Sequence, residues 1–116
     1  DKYLNAANQL DQYISDLWNW VQSNYYYKNK TTILITTDHG RGNKDIDSWR
    51  NHGSSVNGAE HVWMAVIGPD TPPKGEMANH ETIYSSQIAS TIASFLGIEY
   101  QNERTVAPMI KTMFYD

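Results

Sequence analysis

A short apolar stretch that runs directly into Asp38-His39-Gly40 constrains this chain more than any other feature of its sequence. Residues 31–37 are rich in β-branched and apolar side chains. A short run of this kind predicts a strand that is buried on both faces, as in a sheet covered by helices. In open α/β sheets, ligands bind beyond the carboxyl ends of the strands. The sequence therefore predicts a strand at 31–37 and a binding site directly after it.

Two amphipathic helices are predicted on either side of this strand. Apolar residues at spacings of three and four predict a helix over residues 2–23, with Trp18 and Trp20 widening its buried face. A second periodic segment predicts a helix over residues 84–96, with Gly97 as its C-cap.

A second strand and an apolar tail complete the predicted elements. Residues 62–67 form an apolar run that Gly68-Pro69 ends, which predicts another buried strand. The apolar side chains in the tail, residues 98–116, are expected to pack against the sheet. This order of helices and strands predicts an α/β layered fold.

Three consecutive tyrosines, Tyr25, Tyr26 and Tyr27, follow the first helix. They allow two interpretations: a stacking platform for sugars or bases, or aromatic packing of the helix end on the sheet. We favour packing, because buried aromatic side chains commonly fill such positions.

The segment 41–60 has no sustained periodicity and is rich in Gly, Asn, Ser and charge. A loop of this length within a domain usually carries function or is disordered. Because it contains His52, we favour function. His61 abuts the second strand and is expected to pack or to act indirectly, and His80 is expected to be exposed and inert.

Asp38, His39 and His52 are the candidate metal ligands. A carboxylate oxygen and imidazole nitrogens suit zinc or a similar divalent ion. The residues alone leave alternatives open: a capping Asp and a hydrogen-bonded His at a turn, and a surface histidine at position 52.

Composition excludes several functions. The formal net charge of −4 at pH 7 argues against general nucleic-acid binding, which needs a concentrated basic face. Among the basic residues, only Arg41, Lys44 and Arg50 form a cluster in the sequence. This cluster suits either contacts with an anionic substrate or a solvated loop. No apolar run is long enough for a membrane span. The chain has no cysteine, so thiolate metal ligands are excluded.

Taken together, Thr-Thr-Asp-His-Gly after an apolar strand, a later His-Gly, and a strand ending in Gly-Pro resemble the alkaline phosphatase superfamily of phosphodiesterase- and sulfatase-like metalloenzymes. The helix within residues 87–98, followed by Ala107-Pro108-Met109, looks like the segment that closes the catalytic domain in sulfatase-like members. The resemblance implies a three-layer α/β/α sandwich, of which residues 1–116 would be the C-terminal portion.

The resemblance also implies a metal-dependent hydrolase of phosphate esters that uses two divalent metal ions. Zinc is the preferred ion, with manganese or another divalent ion as the alternative. Asp38 and His39 would bind the metal that holds a Ser or Thr nucleophile, and His52 would complete the second metal site, with His61 as the alternative ligand. The nucleophile is expected upstream of Asp1, so this chain alone is expected to be inactive. Its expected partners are a small anionic ester and the remainder of its own catalytic domain.

Three alternatives remain at this point. One is a sulfatase, which typically holds a single calcium ion with oxygen-rich ligands, so His39 and His52 favour the two-metal enzyme. Another is a phosphomutase, in which the corresponding ligand would lie close to Asn57. The third is a non-catalytic binding module. Localisation is open, with a weak preference for an extracytoplasmic protein because members of this kind are often exported.

Overall fold

The computed structural model describes residues 1–78 and 81–116 and divides the chain into two compact units. The first unit contains Asp1–Thr32 and Gly68–Asp116, and the second contains Ile33–Ile67. His80, which the sequence predicts to be exposed and inert, lies outside the described residues.

Helix α1 spans Lys2–Ser23, which confirms the predicted helix at 2–23. Asp1 is its N-cap, because a carboxylate oxygen of Asp1 accepts a hydrogen bond of 3.0 Å from the backbone N–H of Tyr3. A capping aspartate satisfies one of the unpaired N–H groups of the first turn and favours helix initiation at this point.

The apolar face of α1 is largely exposed. Leu10 is 61% exposed, Trp20 is 53% exposed, and Val21 is the buried residue of the helix. The prediction that this face is buried is therefore wrong for most of its length. The periodicity of a helix identifies which side is apolar, but burial also needs a second surface that covers it.

The tyrosine prediction is also wrong for two of the three residues. Tyr25 is 83% exposed and Tyr26 is 77% exposed, so neither ring is buried. Tyr27 lies beside the indole of Trp20, with 5.3 Å between the ring centroids.

The second helical segment begins with a 3-10 turn at Ser85–Gln87 and continues as α2 at Ile88–Phe95. Gly97 has a φ of +67°, and the backbone N–H of Ile98 donates to the carbonyl of Ala93. This is the Schellman arrangement, in which a left-handed residue ends a helix and satisfies its last carbonyls. The predicted role of Gly97 is confirmed.

The tail packs on α2. Phe114 stacks on Phe95 with 4.3 Å between ring centroids, and Ile110 and Met113 are buried. The backbone N–H of Ile110 donates to Oγ1 of Thr91. The sequence predicts the sheet as the partner of this tail, whereas these contacts are with α2. Apolar residues without periodicity do not indicate which surface they cover.

Thr91 holds the junction between α2 and the tail, and its removal tests that role. It is fully buried, its Oγ1 donates to the carbonyl of Gln87 at 2.7 Å, and it accepts from Ile110 at 3.0 Å. We expect Thr91→Val to lower the free energy of unfolding by about 1–3 kcal/mol, since it leaves a buried N–H unpaired. Urea denaturation measures the free energy of unfolding. The matched control is Thr112→Val, because Thr112 is exposed. Equal stability of both variants would contradict the assignment.

The second unit contains a two-stranded antiparallel sheet. Strand β1 is Ile33–Thr36 and strand β2 is Met64–Ile67, and Ile33 pairs with Ile67. Both strands lie within the predicted segments and are shorter than them. In this antiparallel pair, the carboxyl end of β1 lies beside the start of β2.

The strands are not buried on both faces, so that prediction is wrong. Along β2, half-buried and exposed residues alternate, and Ile67 is 40% exposed. Such alternation is typical of an antiparallel sheet with one solvated face, even though β2 and residues 33–35 of β1 are continuously apolar in sequence.

The architecture is therefore a mixed α/β one, as predicted. The described residues contain a two-stranded sheet and do not by themselves form the predicted three-layer sandwich. Among these residues, no helix combines the length and the hydrophobicity that crossing a membrane requires.

Candidate metal centre

The candidate site lies in the second unit, where β1 ends. Oγ1 of Thr36 donates to the carbonyl of Trp63 at 2.9 Å, which holds the last residue of β1 against the chain that enters β2. Four residues later, the backbone N–H of Gly40 donates to the carbonyl of Ala59 at 2.7 Å. The segment between these two bonds, which carries Asp38 and His39, is therefore fixed at both ends.

Gly40 is required by this close approach. A Cβ atom at Gly40 would press against the carbonyl oxygen of His61 and would lie 2.5 Å from that of Gly58. Backbone atoms cannot move aside as the end of a flexible side chain can. The sequence motif thus contains glycine here for steric reasons.

The ring of His39 is oriented by its own turn. Nδ1 of His39 lies 2.7 Å from the carbonyl oxygen of Gly40. A carbonyl oxygen only accepts hydrogen bonds, so in the neutral imidazole Nδ1 carries the proton and Nε2 has the free lone pair. Metal-binding histidines commonly donate their other ring N–H in this way, which fixes the tautomer and the ring orientation.

His52 lies directly against His39. The two rings stack with 3.8 Å between centroids and an angle of 16° between their planes. His39 is half-buried and His52 is exposed. The structure therefore brings together two histidines that are widely separated in sequence, as expected if they serve one site.

Asp38 lies beside His39 but points into solvent. One carboxylate oxygen accepts a hydrogen bond from the backbone N–H of His39, and the other lies 3.7 Å from Nε2 of His39. The Asp38 side chain is 87% exposed. Within residues 1–78 and 81–116, no group of three or more His, Cys, Asp or Glu side chains converges as around a metal ion. The prediction of Asp38, His39 and His52 as ligands thus stays a prediction.

The loop that carries His52 is ordered by a short internal turn. The 3-10 turn Ser48–Arg50 is preceded by a reciprocal pair of bonds between Asp45 and Ser48. A carboxylate oxygen of Asp45 accepts from the backbone N–H of Ser48 at 2.7 Å, and Oγ of Ser48 accepts from the backbone N–H of Asp45 at 3.0 Å. The first part of the loop is therefore structured, and its functional role stays a prediction.

The bonds to Asp45 predict a pH dependence of this turn. Hydrogen bonds from the backbone and then the side chain of Ser48 lower the pKa of Asp45. Because the folded pKa is lowered, the stabilisation is present above the unfolded pKa and is lost as pH falls through the folded pKa. We expect an NMR titration to give a pKa for Asp45 below that of an unstructured aspartate. The Ser48 amide shift should follow the same transition, and Asp45→Asn should remove it. An ordinary pKa at Asp45 would contradict the turn.

An open depression of about 630 Å³ lies next to the two histidines. The residues that line it come from the stacked pair and from the second part of the loop: His39, His52, Gly53, Ser54, Ser55, Val56, Asn57, Ala59 and Glu60. Neither the serines nor Glu60 were predicted from the sequence. The available signal was the Gly-Ser-Ser turn directly after His52, where small polar residues follow a candidate ligand.

Glu60 provides a carboxylate at the edge of this depression. Hydrogen bonds from its own backbone and from the N–H of Gly58 lower the pKa of Glu60, and His61 adds a smaller attraction. The side chain of His61, the alternative ligand, is 75% exposed and lies 3.7 Å from Glu60. His61 does not line the depression that contains His39 and His52.

The three basic residues of the loop do not line the depression either. The guanidinium of Arg41 lies 4.4 Å from the ring centroid of Trp49 and donates to the Trp49 carbonyl at 3.3 Å. Lys44 and Arg50 are exposed. This agrees with the solvated-loop interpretation of the cluster.

Comparison with known proteins assigns the chain to a family. The family model for sulfatases matches residues 1–98, which include the strand, the Asp38-His39 turn, the loop with His52 and helix α2. The chain belongs to the sulfatase family. This family is part of the alkaline phosphatase superfamily, so the resemblance in the sequence is confirmed.

The family assignment gives a general activity. Sulfatase-family proteins are metal-dependent hydrolases. The match ends at residue 98, so the likeness of Ala107-Pro108-Met109 to a domain-closing segment stays a prediction. No curated protein and no solved structure matches the chain significantly.

Proposed function

We propose that this sulfatase-family chain provides half of a two-metal site in a phosphate-ester hydrolase. Asp38 and His39 would bind one divalent ion and His52 the other, with zinc preferred over manganese or another divalent ion. The donor set supports this assignment, because imidazole nitrogen and carboxylate oxygen together suit zinc. The complete domain would form a three-layer α/β/α sandwich.

The stacked histidines are the observation that carries this proposal. The lone pair of an imidazole nitrogen lies in the plane of its ring, and the planes of His39 and His52 differ by 16°. Nearly parallel rings whose centroids are 3.8 Å apart do not direct both lone pairs at one point, so the arrangement suits two neighbouring ions. Metal ions in two-metal sites are about 3.5–4 Å apart, close to this ring separation.

The residues of this chain would position the ions, and other groups would complete the chemistry. When bound, two divalent ions supply Lewis-acid stabilisation of the attacking and leaving oxygens of an ester. The bond from Nδ1 of His39 to the Gly40 carbonyl keeps Nε2 available as a ligand. We further propose that the Ser or Thr nucleophile precedes Asp1 in the natural protein and that this chain needs the remainder of its catalytic domain.

A sulfatase is the second candidate, and the family match favours it. A sulfatase site differs from the two-metal site in the metal that it holds. It would hold one ion with mainly oxygen ligands, and such an ion does not need the two stacked imidazoles. The two proposals therefore predict different metals as well as different substrates.

The test measures hydrolysis of phosphate and sulfate esters by the natural full-length protein. Its metals are first removed by chelation and then restored one at a time. We expect zinc to restore hydrolysis of 4-nitrophenyl phosphate or bis(4-nitrophenyl) phosphate. The value of kcat/KM should exceed that for 4-nitrophenyl sulfate by at least about a hundredfold. An enzyme discriminates between two substrates by the difference in how tightly it binds their transition states. Faster sulfate hydrolysis that requires calcium would replace this proposal with the sulfatase. Absence of both metal uptake and hydrolysis would support the non-catalytic binding module.

A further inference from the structure

Asn57 and Gly58 form the only Asn-Gly pair in the sequence, and Asn57 lines the depression that contains His39 and His52. The backbone nitrogen of the residue after an asparagine can attack the side-chain amide, which closes a cyclic imide and releases ammonia. Asparagine is accordingly among the thermolabile residues. A following glycine hinders this attack least, because it has no Cβ. The pair is therefore a candidate site of covalent modification.

The fold requires the glycine of this pair. Gly58 has a φ of +96°, which favours glycine over any other residue. A Cβ atom there would lie 2.6 Å from the carbonyl oxygen of Arg41 and 2.9 Å from Cγ of Asn43. A larger residue at position 58 would shield Asn57 from attack, but both the backbone conformation and the packing disfavour it.

A carboxylate lies against the nitrogen that would attack. The backbone N–H of Gly58 donates to Oε2 of Glu60 at 2.9 Å, while Oε1 of Glu60 lies 3.7 Å from Nε2 of His61. A general base takes a proton from an atom within about 2.6–3.2 Å of it, and Oε2 meets this condition. The amide nitrogen becomes more nucleophilic as its proton is withdrawn. Glu60 is exposed, so it can exchange that proton with water.

The side chain of Asn57 is accessible and only weakly held. Asn57 is exposed, and its Nδ2 donates to Oδ1 of Asn43 at 3.3 Å, longer than the usual range of about 2.7–3.2 Å. The backbone carbonyl of Asn57 accepts from the N–H of Asn43 at 3.1 Å. The backbone of the turn is therefore anchored, whereas the carboxamide can rotate toward the nitrogen of Gly58.

We propose that Asn57 deamidates spontaneously, with Glu60 as the base that takes the proton of the Gly58 N–H. The nitrogen of Gly58 forms a bond to Cγ of Asn57 as its proton passes to Glu60. The bond from Cγ to Nδ2 then breaks, and Nδ2 leaves as ammonia after taking up that proton. Water opens the resulting imide at either carbonyl, which gives aspartate or isoaspartate.

The conversion changes the wall of the depression. Either product replaces a neutral carboxamide by a carboxylate, which adds to the charge of Glu60 on the same wall. In isoaspartate the main chain runs through Cγ and is longer, which displaces the carbonyl group that Asn43 binds. The modification therefore alters both the charge and the shape of the surface next to His39 and His52.

The experiment incubates the natural full-length protein and its Glu60→Gln variant at mildly alkaline pH. Peptide mapping by mass spectrometry measures the converted fraction of Asn57 and separates aspartate from isoaspartate. We expect Asn57 to convert in the parent protein and at least about tenfold more slowly in Glu60→Gln, less than the roughly hundredfold of a positioned enzyme base because Glu60 is exposed. Glutamine can still accept the Gly58 N–H bond, so the substitution removes the base and keeps the turn.

Two controls separate the geometry from the sequence. Asn102, which is exposed and precedes Glu103, should stay unmodified over the same period. In denaturing urea, Asn57 should convert equally fast in the parent and in Glu60→Gln, because Glu60 is no longer held against Gly58.

Four results would overturn the proposal: an unmodified Asn57 in the parent protein, equal rates in the two folded proteins, a difference that persists in urea, or conversion of Asn102 as fast as that of Asn57. Since no metal ion and no ester are added, these results do not depend on the proposed enzyme activity.

Discussion

Replacement of His39 by alanine is expected to remove one bound metal ion and to reduce kcat/KM for a phosphate ester by at least about a thousandfold, or about 4 kcal/mol. His39 is the candidate ligand whose orientation is best defined, because the Gly40 carbonyl accepts from Nδ1 and leaves Nε2 free. Metal content per protein, measured by mass spectrometry, and ester hydrolysis by the natural full-length protein test this expectation together.

His61 provides the matched control for this substitution. Its side chain is 75% exposed and lies outside the depression that contains the stacked pair. We expect His61→Ala to keep its metal content and activity, and His52→Ala to lose one ion. If His61→Ala loses the ion and His52→Ala keeps it, His61 is the ligand and the assignment of His52 is wrong.

Substitution of Gly40 by alanine is the second change with a large expected effect. The added Cβ would press on the backbone carbonyls of His61 and Gly58, so the chain on one side of this contact must move. Overpacking of this kind against backbone atoms costs about 1–3 kcal/mol or more. We expect a lower urea midpoint for Gly40→Ala and, since the Gly40 carbonyl orients His39, weaker metal binding as well.

Gly75 offers a control of a different kind. Its φ of +69° makes alanine unfavourable there, but nothing would lie within 4 Å of the added Cβ. Gly75→Ala should therefore cost only about 1 kcal/mol, from backbone conformation alone, and should leave metal binding unchanged. A loss of stability in Gly40→Ala no larger than in Gly75→Ala would show that the contact with His61 and Gly58 relaxes easily.

Local sequence signals predicted the elements well but not their burial. The bounds of α1 were predicted from a period of 3.6 residues, which acts within a few residues, and the structure adds Asp1 as its N-cap. The end of α2 follows from Gly97 for the same reason. The exposure of Leu10 and of strand β2 could not be predicted this way, because burial depends on which surfaces meet, and a linear pattern does not contain that information.

The candidate site, too, was predictable from the sequence only in part. The position of Asp38 and His39 after β1 was predictable, since an apolar run that ends in polar residues marks a strand end. The residues alone left two alternatives for His52, a ligand near Asp38 and His39 or a surface histidine, and the family resemblance favoured the ligand. Its stacking on His39 depends on backbone bonds such as Gly40 to Ala59 and Asn43 to Asn57, which join residues far apart in sequence. Neither composition nor periodicity predicts such bonds, and they also bring Glu60 to the depression.

The hydrogen bonds at the base of the loop 41–60 affect where this protein could accept insertions during evolution. The bonds from Gly40 to Ala59 and from Asn43 to Asn57 join its base, whereas Ser54 and Ser55 lie at an exposed turn beyond them. Lengthening a loop costs entropy that grows only slowly with the number of residues. Insertions between these serines could therefore reshape the rim of the depression during evolution while the anchored base continues to hold His39.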